Sequence, residues 1–225
     1  MSMTSKPLWR AIAIGASIVS INAQAQSIDV RVTGTITPAA CVPAIEGGGT
    51  VDYGDISATS LNFTSSTKLP TKTIGFSITC DAPTLVGAAM HDNRAGSAVV
   101  GLVQRVKSQL SEDRAYGLGV AGGKNIGIYT VRFNPATATM DGNPGVLTRT
   151  NDRGRSWGTP VDGYVSELPE FIHAWTTGAG TARPFAFQVM STTIDITAVI
   201  DKGENLDLAN EVPLDGLATI ELVYL

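Results

Sequence analysis

Hydrophobic and polar residues alternate at both ends of this chain, and a period of two marks a strand with one buried face. In Ser27–Thr37, Ile28, Val30, Val32 and Ile36 share one face, while Asp29, Arg31, Thr33 and Thr35 share the other. Leu217–Leu225 repeats the pattern with Ile220, Leu222 and Tyr224 together. The alternation recurs in Lys72–Cys80, where Ile74, Phe76, Ile78 and Cys80 fall inward. Ile126–Phe133, Pro184–Met190 and Thr192–Ile200 are rich in β-branched and aromatic residues and read as three further strands. Turn signals separate these runs, among them Gly47-Gly48-Gly49, Asp141-Gly142, Asp162-Gly163 and Asp215-Gly216. Many short strands with Gly and Pro turns predict an all-β sandwich in one domain. One stretch conflicts with that pattern. Val99, Leu102, Val103, Val106 and Leu110 are spaced like one helical face, so a short helix or an irregular excursion is expected there.

The first 25 residues read as a removable leader. Lys6 and Arg10 precede an apolar run, Ala11–Ile21, and Ala23-Gln24-Ala25 has the small-residue pattern of a signal-peptide cleavage site. The run is shorter than the ~20 residues of a spanning helix, and no later segment is long enough to cross a bilayer. The expected organisation is a signal peptide over 1–25, an N-terminal extension over 26–40 and a β-sandwich over 41–225. Export gives the cysteines a meaning. Cys41 and Cys80 are the two cysteines of the chain, with no C-x-x-C spacing, so one disulfide is expected rather than a redox or zinc site. The formal net charge is -4 and there is no basic run, which excludes a nucleic-acid footprint.

Several motifs suggest chemistry and fail on context. Gly117-Leu118-Gly119-Val120-Ala121-Gly122 fits G-x-G-x-x-G, but no helix follows it, so it reads as a strand or bulge where backbones approach closely. Gly154-Arg155-Ser156-Trp157-Gly158 fits G-x-S-x-G without the strand–helix context of a nucleophile elbow. Thr150 to Trp157 resembles instead the Asp-box hairpin of sialidases, S/T-x-D-x-G-x-S/T-W. In that motif Asp152, Gly154, Ser156 and Trp157 build a structural turn. One copy in a chain too short for a propeller argues for structure over hydrolysis. His91-Asp92-Asn93-Arg94 sits at a strand end and reads as a backbone-bonding turn. His91 and His173 lack metal-ligand spacing. Asp201 to Asn205 reads as a solvated turn. Arg149, Arg153 and Arg155 surround Asp152 as a solvated hairpin tip, with an acidic glycan as a possible ligand. No cofactor, metal or catalytic residue is expected.

Taken together, the alternating arm, Gly34 seven residues before Cys41, the paired cysteines, and Gly216 with the penultimate Tyr224 resemble the chaperone–usher pilus subunits of Gram-negative bacteria. Asp92-Asn93-Arg94, Gly117-Leu118-Gly119, the Asp-box-like turn and the terminal Val-Tyr-Leu look like a fimbrial-like family of secreted bacterial proteins. The stretch from Met90 to Gly180 is larger and more irregular than in a shaft subunit. The resemblance implies an immunoglobulin-like, pilin-type sandwich that lacks its last strand and leaves a hydrophobic groove open. A periplasmic chaperone would fill that groove first. After passage to an outer-membrane usher, a neighbouring subunit's arm would replace the chaperone strand. On this resemblance Ile28, Val30, Val32 and Ile36 are donor residues, Gly34 fits a shallow point, and Gly216, Ile220, Leu222 and Tyr224 belong to the acceptor edge. The alternation itself serves donation in cis or in trans; the resemblance favours trans. The rival readings are a self-contained periplasmic or surface domain binding glycan or protein, and a small glycan hydrolase.

Overall fold

The computed structural model describes residues 30–35, 40–159, 162–178 and 182–225. The chain divides into a unit ending at Thr37 and a unit from Pro38 to Leu225. In the first unit, the described residues 30–35 carry no regular secondary structure. Val30 is 86% exposed and Val32 is 92% exposed. Ile28 and Ile36 lie outside the described residues.

The second unit is an all-β sandwich. Its larger sheet runs β1 (Cys41–Ile45), β3 (Lys72–Thr84), β13 (Phe187–Ile200), β8 (Gly127–Phe133) and β5 (Tyr116–Gly117). The short β2 (Thr67–Lys68) and β9 (Thr139–Met140) also pair with β13, and β10 (Asn143–Pro144) pairs with β9. The smaller sheet runs β11 (Val146–Thr150), β12 (Ile172–Thr176), β4 (Val86–Asp92) and β14 (Ala218–Tyr224). A separate hairpin joins β6 (Val120–Ala121) to β7 (Lys124–Asn125). The pairings between these strands are antiparallel, and period-two alternation puts one face of a strand between the sheets. The core this makes is aromatic at its centre. The Phe133 ring lies 5.6 Å from Phe76 and 5.5 Å from Trp175, and Trp175 lies 6.3 Å from Phe187. Tilted and edge-on rings at these separations add to the burial of their area.

The two strands expected over 184–200 are one strand. β13 crosses Ser191 without a turn because Met190, Thr192 and Ile194 stay inward while Ser191, Thr193 and Asp195 stay outward. A register shift between Phe187 and Val189 absorbs the irregularity. The 99–110 stretch is the irregular alternative. It holds a 3-10 turn at Val103–Arg105, and no described residue is in an α-helix. Gly101, at φ +88, precedes that turn, and Leu102, Val103 and Leu110 form a satellite core with Ile128 and Val199. The central excursion also supplies β8, β11 and β12, three strands that complete both sheets. Cys41 and Cys80 are direct partners across β1 and β3 and are disulfide-bonded. Among the described residues, no helix is long and apolar enough to cross a membrane.

Candidate functional site

β14 is one edge of the smaller sheet and β1 one edge of the larger. The β14–β4 register fixes which backbone groups are left over. Asn93 N–H donates to the Leu217 carbonyl, and Leu225 N–H donates to the Leu85 carbonyl. Hydrogen-bonded and non-bonded pairs alternate in an antiparallel ladder. The odd-numbered residues of β14 therefore bond to β4, and Ala218, Ile220 and Leu222 turn their N–H and C=O groups to the free edge. The side chains of Ile220 and Leu222 reach back against the core, while Thr219 and Glu221 are exposed.

Beside this edge lies a groove of about 650 Å³. Ile74, Ile194 and Ile196 line it from the larger sheet, Ile126 from the link between β7 and β8, and Ile220 from β14. Its remaining walls are the irregular segments holding Tyr53 and Leu214. Tyr53 is anchored by its hydroxyl, which donates to the Ile196 carbonyl at 3.1 Å and accepts from Ala198 N–H at 3.2 Å. Of β14, Ala218 and Ile220 line the groove, and Ile126 and Ile194 stay buried at its floor. An unpaired sheet edge beside an apolar groove offers backbone partners on one side and apolar contacts on the other.

A polar clamp fixes the segment that leads into β14. The Asp92 carboxylate accepts from Arg94 N–H at 2.8 Å and Gly117 N–H at 2.7 Å. Burial raises the Asp92 pKa despite these bonds. Arg94 grips Asp215 with Nε and Nη2 at 2.9 and 3.1 Å, which holds the Asp215 pKa below the ordinary range. Ser97 Oγ donates to the Arg94 carbonyl and accepts from Gly119 N–H. A Cβ at Gly117 would overlap the Arg94 carbonyl and Ser97 Oγ. The glycine motif is therefore a close backbone approach. At the other end of β14, the Tyr224 hydroxyl accepts from Cys41 N–H at 2.9 Å and ties the two sheet edges together.

The Asp-box-like residues form a closed turn outside the groove lining. Asp152 accepts from Ser156 N–H at 2.9 Å and from the Ser156 and Thr150 hydroxyls at 2.6 Å each. These bonds, led by the Ser156 hydroxyl, hold its pKa far below the ordinary value. Gly154 takes φ +91, and Trp157 Nε1 donates to its carbonyl. Of the three arginines expected at this tip, Arg153 and Arg155 are exposed. Arg149 is a correction. It lies half-buried on β11, with its guanidinium 5.3 Å from the Phe171 ring, because it shares the inward face with Leu147. Asp201, expected in a solvated turn, is buried and accepts from Asn205 Nδ2. The two histidines occupy different environments. His91 faces Glu221 at 3.2 Å on the surface, and His173 is wholly buried beside Phe133. Among the described residues, no three His, Cys, Asp or Glu side chains are placed to hold a metal ion.

Sequence reading missed β1 and the groove wall over 206–214. The wall did carry a signal, since Leu206, Leu208, Val212 and Leu214 all fall at even-numbered positions and all line the groove.

Residues 30–130 match the family described as "Protein of unknown function (DUF1120)". The matched stretch holds both cysteines, Asp92-Asn93-Arg94 and Gly117-Leu118-Gly119. The chain is similar to Protein GltF of Escherichia coli (strain K12), at 29% identity over 245 residues, covering 96% of each protein. It is also similar to Uncharacterized protein YhcF of the same organism, at 27% identity over 237 residues, covering 94% of this chain and 96% of the relative.

Proposed function

We propose that this chain is a secreted, non-enzymatic fimbrial-like subunit, assembled into a bacterial surface fibre by strand complementation in the periplasm. The observation that carries the reading is the open apolar groove beside the unpaired edge of β14. In this scheme a periplasmic chaperone covers the groove, an outer-membrane usher receives the subunit, and the arm of a neighbouring subunit then takes the chaperone's place. The exposure of Val30 and Val32 supports an arm that is given away. Burying four aliphatic side chains of the arm stabilises by roughly 6–12 kcal/mol gross. A whole domain is stable by only about 5–15 kcal/mol, so groove occupancy decides whether such a subunit persists.

The test is thermal unfolding of the protein lacking residues 26–37, with and without a peptide of that sequence. A large, saturable rise in midpoint, lost with a Gly34→Trp peptide, is the expected result. A truncated protein that is already stable and ignores the peptide would remove the mechanism.

A further inference from the structure

We propose that the disulfide pole of the sandwich is a docking surface for a second copy of this chain, seated against that copy where its groove ends near Val120 and Leu217. The inference rests on strand complementation and goes beyond it. A donated arm makes one contact between copies, and a seated pole adds a second.

The pole is where the two sheets are fastened together. Cys41 is disulfide-bonded to Cys80, its N–H donates to the Tyr224 hydroxyl, and Leu225 N–H donates to the Leu85 carbonyl at 3.0 Å. Four large apolar side chains stay exposed around these bonds: Val42 at 65%, Leu85 at 40%, Tyr224 at 54% and Leu225 at 41%. Val42 lies on the outer face of the larger sheet, opposite Thr79. Leu85 and Leu225 lie together at the end of the smaller sheet, and Tyr224 bridges the gap between the sheets. Single exposed apolar residues are ordinary on a protein surface, but a belt of them across one pole marks an interaction surface.

Chain length identifies what covers the belt. The Ala40 carbonyl accepts from Asp81 N–H at 3.0 Å, so the pole holds the chain from Ala40 onward. Ile36, the last donor residue, precedes Ala40 by four residues. At about 3.6 Å per residue the connection reaches no more than about 14 Å. A copy that accepts the arm must therefore bring its own groove end to within that distance of the donor's pole. Which end follows from the Cys41–Tyr224 hydrogen bond, which spans the gap between β1 and β14. A strand lying along β14 leaves at the opposite end, where β14 begins. Leu217 is 47% exposed there and Val120 is 53% exposed. The two are held close, because Asp215 N–H donates to the Leu118 carbonyl at 2.9 Å. Apolar pole thus meets apolar groove end. The two surfaces differ, so the contact is heterologous, the kind that repeats head to tail.

The experiment places p-benzoylphenylalanine at Leu85 of the full chain, irradiates oligomers isolated from expressing cells, and maps the cross-links by mass spectrometry. Cross-links from Leu85 to residues 118–122 or 215–219 of a second copy are the expected result, and they disappear when Gly34→Trp blocks arm donation. Oligomers that form through the arm but give cross-links elsewhere, or none between copies, overturn the pole contact and leave strand complementation standing. If no arm-dependent oligomer forms, and the arm peptide also fails to bind, complementation itself fails and the pole contact falls with it.

Discussion

The Tyr224 hydroxyl accepts a hydrogen bond from the Cys41 backbone N–H, joining the penultimate residue to the first residue of β1 across 183 positions of sequence. The bond fastens the edge strands of two different sheets. Tyr224→Phe keeps the ring and removes the bond. The expected loss is about 1 kcal/mol, a fall in unfolding midpoint of roughly 2–4 °C for a domain of this size. Calorimetry of both proteins checks this, and an unchanged midpoint would mean that the bond does not persist in solution.

The same pole carries the disulfide, which closes a loop with a sequence separation of 39. Constraining the unfolded chain over such a loop stabilises by about 4 kcal/mol in the chain-entropy model. Cys41→Ser with Cys80→Ser should lower the denaturant midpoint accordingly. Adding Tyr224→Phe to that pair should cost less than it does alone, because both devices fix β1 and neighbouring devices couple. A denaturation cycle over the four proteins measures the coupling, and strict additivity would refute it.

His173 gives the protein an acid-sensitive core. Its pKa is pushed down from 6.5 to about 3, first by burial and then by the positive charges of Arg149 and Arg114. Asp162 and the Tyr164 backbone act in the opposite direction. The unfolded chain therefore takes up a proton below pH 6.5 that the folded chain refuses. This stability is complete above pH 6.5 and is lost as the pH falls towards 3. At ~1.4 kcal/mol per pH unit, the loss is on the order of several kcal/mol. Asp92 and Glu167, whose pKa values burial raises, oppose it at lower pH because the folded state binds their protons first. His173→Leu should flatten stability against pH between 6.5 and 5, where the unfolded imidazole takes up its proton. Parallel slopes for the two proteins would place the acid sensitivity elsewhere.

Strands with one face in water were legible in the sequence, because Ile74, Phe76 and Ile78 or Ile220 and Leu222 alternate with polar residues. β12 was not legible, since Ile172 to Thr176 is buried on both faces and a continuous run has no period. Arg149 was misplaced for a related reason. Its neighbours in sequence belong to the Asp-box-like turn, but its face belongs to β11. The C-terminal strand was legible through Ile220, Leu222 and Tyr224. The groove itself was not, because its walls come from segments as distant as Tyr53 and Leu214 that only the fold brings together.

Gly216 links the clamp to the groove. A Cβ at this position would lie 2.8 and 3.1 Å from two carbons of the Tyr129 ring and 3.4 Å from Leu118 Cδ2. The ring has little room to yield, since it packs 5.3 Å from Tyr116 and its backbone is paired with both Tyr116 and Ala198. The backbone before Gly216 is held as well, by the Arg94–Asp215 pair and by Asp215 N–H on the Leu118 carbonyl. Gly216→Ala must therefore displace Tyr129 or shift the start of β14, at a cost of about 1–3 kcal/mol. Tyr129 and Gly216 both line the groove, so binding of the arm peptide should weaken with stability. Gly154→Ala is the control, since it strains a residue at φ +91 in a hairpin outside that lining. Both variants should unfold at lower temperature, and only Gly216→Ala should lose peptide affinity in titration calorimetry. If the two bind the peptide equally well, the role of Gly216 is confined to folding and the groove does not extend to the start of β14.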